Sequence, residues 1–204
     1  MRNDWKELTA DNRRLPPLPP QERVQELLFE AARIGRADMI APLVCAGAKV
    51  DSNDSKAHTP LILAAYHGHR ETSGALLQCG ACVDLPEGLR GNTALMGTTF
   101  KGNLAIAEML LEEGGNPNAA NFAGQNALMI AALFGREDFV ELLLARGALV
   151  DTRDLAGNSA ANLALHQGNV GMARRLSPCA RSSAVPRLQL PTKQGPATRR
   201  AGLR

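Results

Sequence analysis

Residues 58–69 read HTPLILAAYHGH, and the same register returns as NTALMGTTFKGN (92–103), QNALMIAALFGR (125–136) and NSAANLALHQGN (158–169). Gly35, Gly68, Gly102, Gly135 and Gly168 mark the recurrence at spacings of 33, 34, 33 and 33 residues. A second series, Gly47, Gly80, Gly114 and Gly147, follows at 33, 34 and 33. The stretches between align as well: GALLQCGACVD (74–84), AEMLLEEGGNPN (107–118) and VELLLARGALVD (140–151). A fixed period of this length is the mark of a stacked array, so the repeat outranks any local motif.

The period is helical twice over. A short helix carries Ala-Ala on one face, where a partner helix approaches closely, and a Gly ends it. A second helix ending in Leu-Leu follows and is closed by Gly-Ala or Gly-Gly. An extended stretch then leads into an Asp-x-x-Gly turn. Each unit has an apolar face that it cannot bury alone, so neighbours must stack into a solenoid.

These residues resemble ankyrin repeats over 21–176. The resemblance implies an all-α solenoid of stacked helix-turn-helix units with hairpin fingers. It divides the chain into a helical N-cap at 21–50, units at 51–83, 84–117 and 118–150, and a C-cap at 151–176. Residues 1–20, with a Pro-rich stretch, and the basic tail 177–204 fall outside the pattern. Their low-hydrophobicity composition leads us to expect that both are disordered and dispensable for folding.

Departures from the family pattern bear on local stability. The His that usually follows Thr-Pro-Leu is replaced by Ile62, Met96, Met129 and Asn162. Ala57 stands where the other fingers have Gly91, Gly124 and Gly157, and Thr98-Thr99 replaces Ala-Ala. Pro42, Gly74 and Gly97-Thr98-Thr99 lower helix propensity, so the first three units are expected to be less stable than 118–150.

Residues 21–176 hold 13 basic and 17 acidic groups, whereas 177–204 hold 6 basic groups and no acid. The N-terminus MRNDWKELTADNRR is charged throughout and does not read as a secretory leader, and no run of 18 apolar residues suggests a membrane span. Four scattered cysteines do not suit a disulfide scaffold and fit a reducing, cytoplasmic setting.

His67 and His69 form a His-x-His pair, a spacing that zinc sites use. Their slots in the other units hold Ile34 and Arg36, Lys101 and Asn103, Phe134 and Arg136, and Gln167 and Asn169. His58 and His166 are not at zinc spacing, so we read the pair as a repeat edge, with His69 facing the start of the next helix. Cys79-Gly-Ala-Cys82 closes a helix instead of opening one and coincides with the repeat cap, which argues for structural thiols. No phosphate loop, nucleophile elbow or H-E-x-x-H occurs. No cofactor, metal or catalytic residue is expected.

RRLPPLPP at 13–20 reads as polyproline II. It resembles the SH3-ligand class, with Arg13 as basic anchor and Leu15, Pro16, Leu18 and Pro19 filling grooves. The alternative is a stiff spacer in which Pro20 opens a helix at Gln21. The tail lacks interleaved aromatics and dense Lys/Arg clusters, which speaks against nucleic acid and favours a solvated segment.

The resemblance implies non-catalytic protein binding by a monomeric scaffold. The alternatives are control of an enzyme encoded nearby, or attachment to nucleic acid or an anionic surface through the tail. At the end of each first helix the paired slots read Arg33-Ile34, Tyr66-His67, Phe100-Lys101, Leu133-Phe134 and His166-Gln167. Three of the chain's seven aromatics fall there, where the family's array faces its groove. Phe122 lies near a finger tip, and the one-residue insertion in DLPEGLRGN is expected to push Leu89 and Arg90 outward beside Phe100. The predicted partner-binding set is therefore Tyr66, His67, Leu89, Arg90, Phe100, Lys101, Phe122, Leu133, Phe134 and His166.

Overall fold

A computed structural model describes residues 19–177. The Pro-rich motif up to Leu18, the tail beyond Ser177 and Cys179 lie outside the described residues, as do the SH3-ligand and tail readings that rest on them. Among the described residues there are ten helices in five pairs and no strand. The first helices are α1 (Gln21–Ile34), α3 (Pro60–His67), α5 (Ala94–Lys101), α7 (Ala127–Leu133) and α9 (Ala160–His166). The second helices are α2 (Ala37–Cys45), α4 (Arg70–Gln78), α6 (Leu104–Glu112), α8 (Glu137–Ala145) and α10 (Val170–Leu176). First helices pack on first helices, and α2, α4, α6 and α8 pack in turn on one another, giving two layers. No helix among these is long and apolar enough to cross a membrane.

Helix starts are fixed by side-chain caps. Thr59, Thr93, Asn126 and Ser159 accept hydrogen bonds from the amides of Ile62, Met96, Met129 and Asn162. Each cap satisfies an amide that the first turn would otherwise leave orphaned. Pro60 occupies the first turn of α3, where its missing N–H costs nothing. Gly102 ends α5 at φ 87°, and a Cβ there would sit 2.3 Å from Arg136 Nη1. Only glycine fits that position.

The core is made of small and medium side chains. Ala32, Ala64, Ala65, Ala131, Ala132 and Ala164 are fully buried, and Leu28, Leu76, Leu110, Leu128 and Leu143 fill the space between layers. Thr98 and Thr99 are equally buried, and both hydroxyls donate to Leu95 O at 2.8 Å. The polar groups that replace Ala-Ala are thus paired inside their own helix. Ile62, Met96 and Met129, which displace the family's His, are buried in the core, whereas Asn162 is exposed.

Three ladders of hydrogen bonds join the units. The fingers are linked by Gly88 N to Ala57 O, Phe122 N to Arg90 O and Leu155 N to Ala123 O, each 2.9–3.0 Å. On the far side, Asp51 accepts from Cys82 N, Asp84 from Asn116 N and Asn118 from Leu149 N. The third ladder corrects the sequence reading of His69. Its Nε2–H donates back to Arg33 O of the preceding unit at 3.0 Å, not forward. Asn103 does the same to Ala65 O at 3.2 Å, and Arg136 to Phe100 O at 2.8 Å. A donor at the carbonyl end of a helix satisfies an orphan acceptor, and a cationic one also suits the helix dipole.

Candidate functional site

The residue after the buried pair turns away from the core in α3 and α5, because the buried stripe fixes the rotation of those helices. In α7 that residue, Leu133, is half-buried, and Phe134 follows it as the outward-facing C-cap. Tyr66, Phe100 and Phe134 are therefore 37%, 43% and 48% exposed although they are aromatic. Their rings form a continuous row. Tyr66 and Phe100 lie parallel with centroids 6.3 Å apart, and Phe134 meets Phe100 edge-on at 5.0 Å. Lys101 Nζ sits 4.4 Å from the Tyr66 centroid, a cation–π contact.

The row forms one wall of a groove of about 1070 Å³ between the first helices and the fingers. Eight of the ten sequence-predicted residues line it: Tyr66, His67, Leu89, Arg90, Phe100, Phe122, Leu133 and Phe134. Lys101 flanks the groove over Tyr66 without lining it. His166 is exposed at the end of α9, outside the lining. The array continues past the groove, so occupying the repeat slot does not by itself place a residue in it.

The finger wall depends on the insertion. Glu87 takes the position that Asp54, Asn121 and Asp154 hold in the other fingers. Its carboxylate is buried and accepts from Leu89 N at 2.8 Å, Arg90 N at 2.7 Å and Asn92 Nδ2 at 3.3 Å. The extra methylene of Glu reaches around a turn that is one residue longer. Leu89 is left 68% exposed and Arg90 is exposed, as expected. Phe122 leans on Gly91, where a Cβ would lie 2.6 Å from its ring. That close approach is what holds an exposed phenylalanine against the wall.

At the other end the groove is polar. Arg33 Nη2 is 3.2 Å from Asp54 Oδ2, and Asp54 Oδ1 accepts from the amides of Lys56 and His58 at 2.8 and 2.9 Å. Burial pushes the Asp54 carboxyl up, but those two amides together with His58 and Arg33 hold it below the usual carboxylate range. Burial, with His69, Lys101 and Arg33 nearby, lowers the pKa of His67. His67 and His69 stack at 6.2 Å, and His69 Nε2 is occupied by Arg33 O. Cys79 caps α4, and Cys82 N is held by Asp51, so the C-x-x-C is built into the loop.

Sequence reasoning missed the floor. Ile62, Met96, Gly97 and Ile130 line it, as do Arg33, Asp54 and His58 at the polar end. Ile62 and Met96 stand in the slot of the family's missing His, which was the available signal. The Arg33–Asp54 pair spans 21 residues and left none.

Known proteins share this repeat pattern. The family described as ankyrin repeats (3 copies) matches residues 28–121 and 100–184. The palmitoyltransferase ZDHHC17 of Rattus norvegicus is 39% identical over 74 residues, 36% of this chain and 12% of that protein. A putative ankyrin repeat-containing protein of Treponema pallidum is 34% identical over 97 residues, 48% of this chain and 33% of its own length. The ankyrin repeat and KH domain-containing protein mask-1 of Caenorhabditis elegans is 31% identical over 110 residues, 54% of this chain and 4% of that protein. The chain thus spans a third or less of each of these relatives.

Proposed function

Because the chain belongs to the ankyrin-repeat family, whose arrays generally serve as non-catalytic protein–protein interaction modules, we propose that it is itself a non-catalytic recognition unit that holds a partner protein in this groove. The observation that carries the reading is the aromatic row Tyr66, Phe100 and Phe134, exposed along one wall and faced by Leu89 and Phe122 on the other. Exposed aromatics of this kind dominate interface hot spots when they gather in one place. The recognition unit is residues 21–176, acting as a monomer in the cytoplasm. The acyl transfer named for the rat relative is not carried over, since the overlap is 12% of that protein.

The test is affinity capture on the full chain and on its Tyr66→Ala/Phe100→Ala variant, with circular dichroism on both. Partners retained by the first and lost by a folded second support the groove. Equal retention assigns recognition to another surface.

A further inference from the structure

We propose that the groove takes an extended acidic peptide whose apolar side chains alternate with carboxylates; the proposal rests on the protein-recognition reading above and names the partner's chemistry. The acidic charges of the groove are already used. Asp54 is paired to Arg33 and to two amides, and Glu87 is buried and spent on its own finger. Neither presents a negative charge to an occupant. Lys56 and Arg90 are exposed on the finger wall, and among the described residues neither has a carboxylate within 4.0 Å. Lys101 adds a third cation at the aromatic row.

The lip is thus positive on a body that is not. Residues 21–176 carry 13 basic and 17 acidic groups, and the second helices present exposed acids such as Glu71, Glu108 and Asp138. A local positive site within a negative field attracts a carboxylate-bearing chain at short range. Nucleic acid would instead meet that field along its whole backbone. The chain's own tail 177–204, with 6 basic groups and no acid, has the wrong sign to fill the site.

The spacing indicates an extended occupant. An extended chain rises about 3.3 Å per residue and sends alternate side chains to the same side, about 6.6 Å apart. The Tyr66 and Phe100 rings are 6.3 Å apart and parallel. Two alternate apolar side chains can therefore each lie on one ring. The side chains between them face the other way, towards the wall that carries Lys56 and Arg90.

The test is selection of a phage-displayed random library of about twelve residues, long enough for the groove at the extended rise, on the full chain. Competition with the Tyr66→Ala/Phe100→Ala variant identifies the clones that use the groove. Those clones are expected to be rich in Asp and Glu alternating with apolar residues. Lys56→Glu/Arg90→Glu should keep the fold and weaken them roughly tenfold, with a matching loss in added salt. Groove-dependent clones that are neutral or basic, or that ignore the charge reversal, overturn the acidic assignment and leave the recognition reading standing. A library that gives no clone sensitive to Tyr66→Ala/Phe100→Ala overturns both. Tighter groove-dependent binding of an oligothymidylate, or self-association of the chain through the groove in sedimentation, also overturns the proposal.

Discussion

The phenyl ring of Phe100 lies parallel to the phenol ring of Tyr66, with 6.3 Å between centroids and 7° between planes. The two side chains come from adjacent units, and both remain more than a third exposed. Their mutual contact is worth about 1 kcal/mol, far less than the burial of a core residue. Tyr66→Ala with Phe100→Ala should therefore leave the melting midpoint nearly unchanged. Partner binding should weaken by about 2 kcal/mol or more. Thermal unfolding and titration calorimetry on the same pair of proteins check it, and an unfolded double variant would make these rings core.

Two backbone positions are set against their local geometry. Ala57 sits at φ 61°, the left-handed region that the matching Gly91, Gly124 and Gly157 occupy freely. Ala57→Gly should stabilise by about 0.5–1 kcal/mol, the relief of strain less the added freedom of the unfolded chain. Gly74 lies inside α4, and a Cβ there would meet only Met109 Sδ at 3.6 Å. Gly74→Ala should gain a similar amount. Urea midpoints at constant m measure both.

Glu87→Asp should destabilise by about 1–2 kcal/mol, although it restores the residue type of the neighbouring fingers. A shorter carboxylate cannot reach both Leu89 N and Arg90 N around the longer turn, which leaves buried donors unpaired. Removing one residue from the turn together with Glu87→Asp should recover the loss. Failure of that rescue in a denaturation series would reject the length argument.

Stability should fall with acid in two windows. Asp54 is held below its ordinary pKa, so it contributes fully above the unfolded carboxylate range and loses that contribution as pH drops through the folded value. Asp154 behaves alike, held down first by the Asn158 amide. His67 is also lowered, chiefly by burial, so its neutral form is the stabilising one and the decline starts below about pH 6.5. Asp54→Asn should flatten the lower window and His67→Gln the upper one. Melting midpoints taken across the pH range distinguish them.

Amide exchange should protect 127–145 more than 60–79 or 94–111. Unit four keeps good helix formers throughout, whereas α4 contains Gly74 and α5 contains Gly97. The paired hydroxyls of Thr98 and Thr99 narrow the gap for α5 without closing it. Native-state exchange read by mass spectrometry gives the order directly.

The repeat was legible because glycine caps, Ala-Ala stripes and Leu-Leu endings are local signals that recur at a fixed period. The exposed row was legible for the same reason: once the small-residue pair is buried, the two slots after it lie at the helix end, and Tyr66, Phe100 and Phe134 fall in them. His69 was misdirected because its acceptor, Arg33 O, is a main-chain atom 36 residues away, and a carbonyl has no letter in the sequence. Glu87 looked like an ordinary acid beside an insertion. That one compensates for the other emerges only when both are seen around the same turn. The groove floor stayed hidden because Ile62 and Met96 read simply as losses of the family's histidine.

The donors that close the first helices all point upstream. Arg33 O waits for His69, Ala65 O for Asn103 and Phe100 O for Arg136. At Asn169 the series stops, because that side chain turns to the Met172 amide of its own helix. Each of these three helix ends therefore gains its side-chain donor only when the following unit packs against it, so deleting a unit uncaps the one before it.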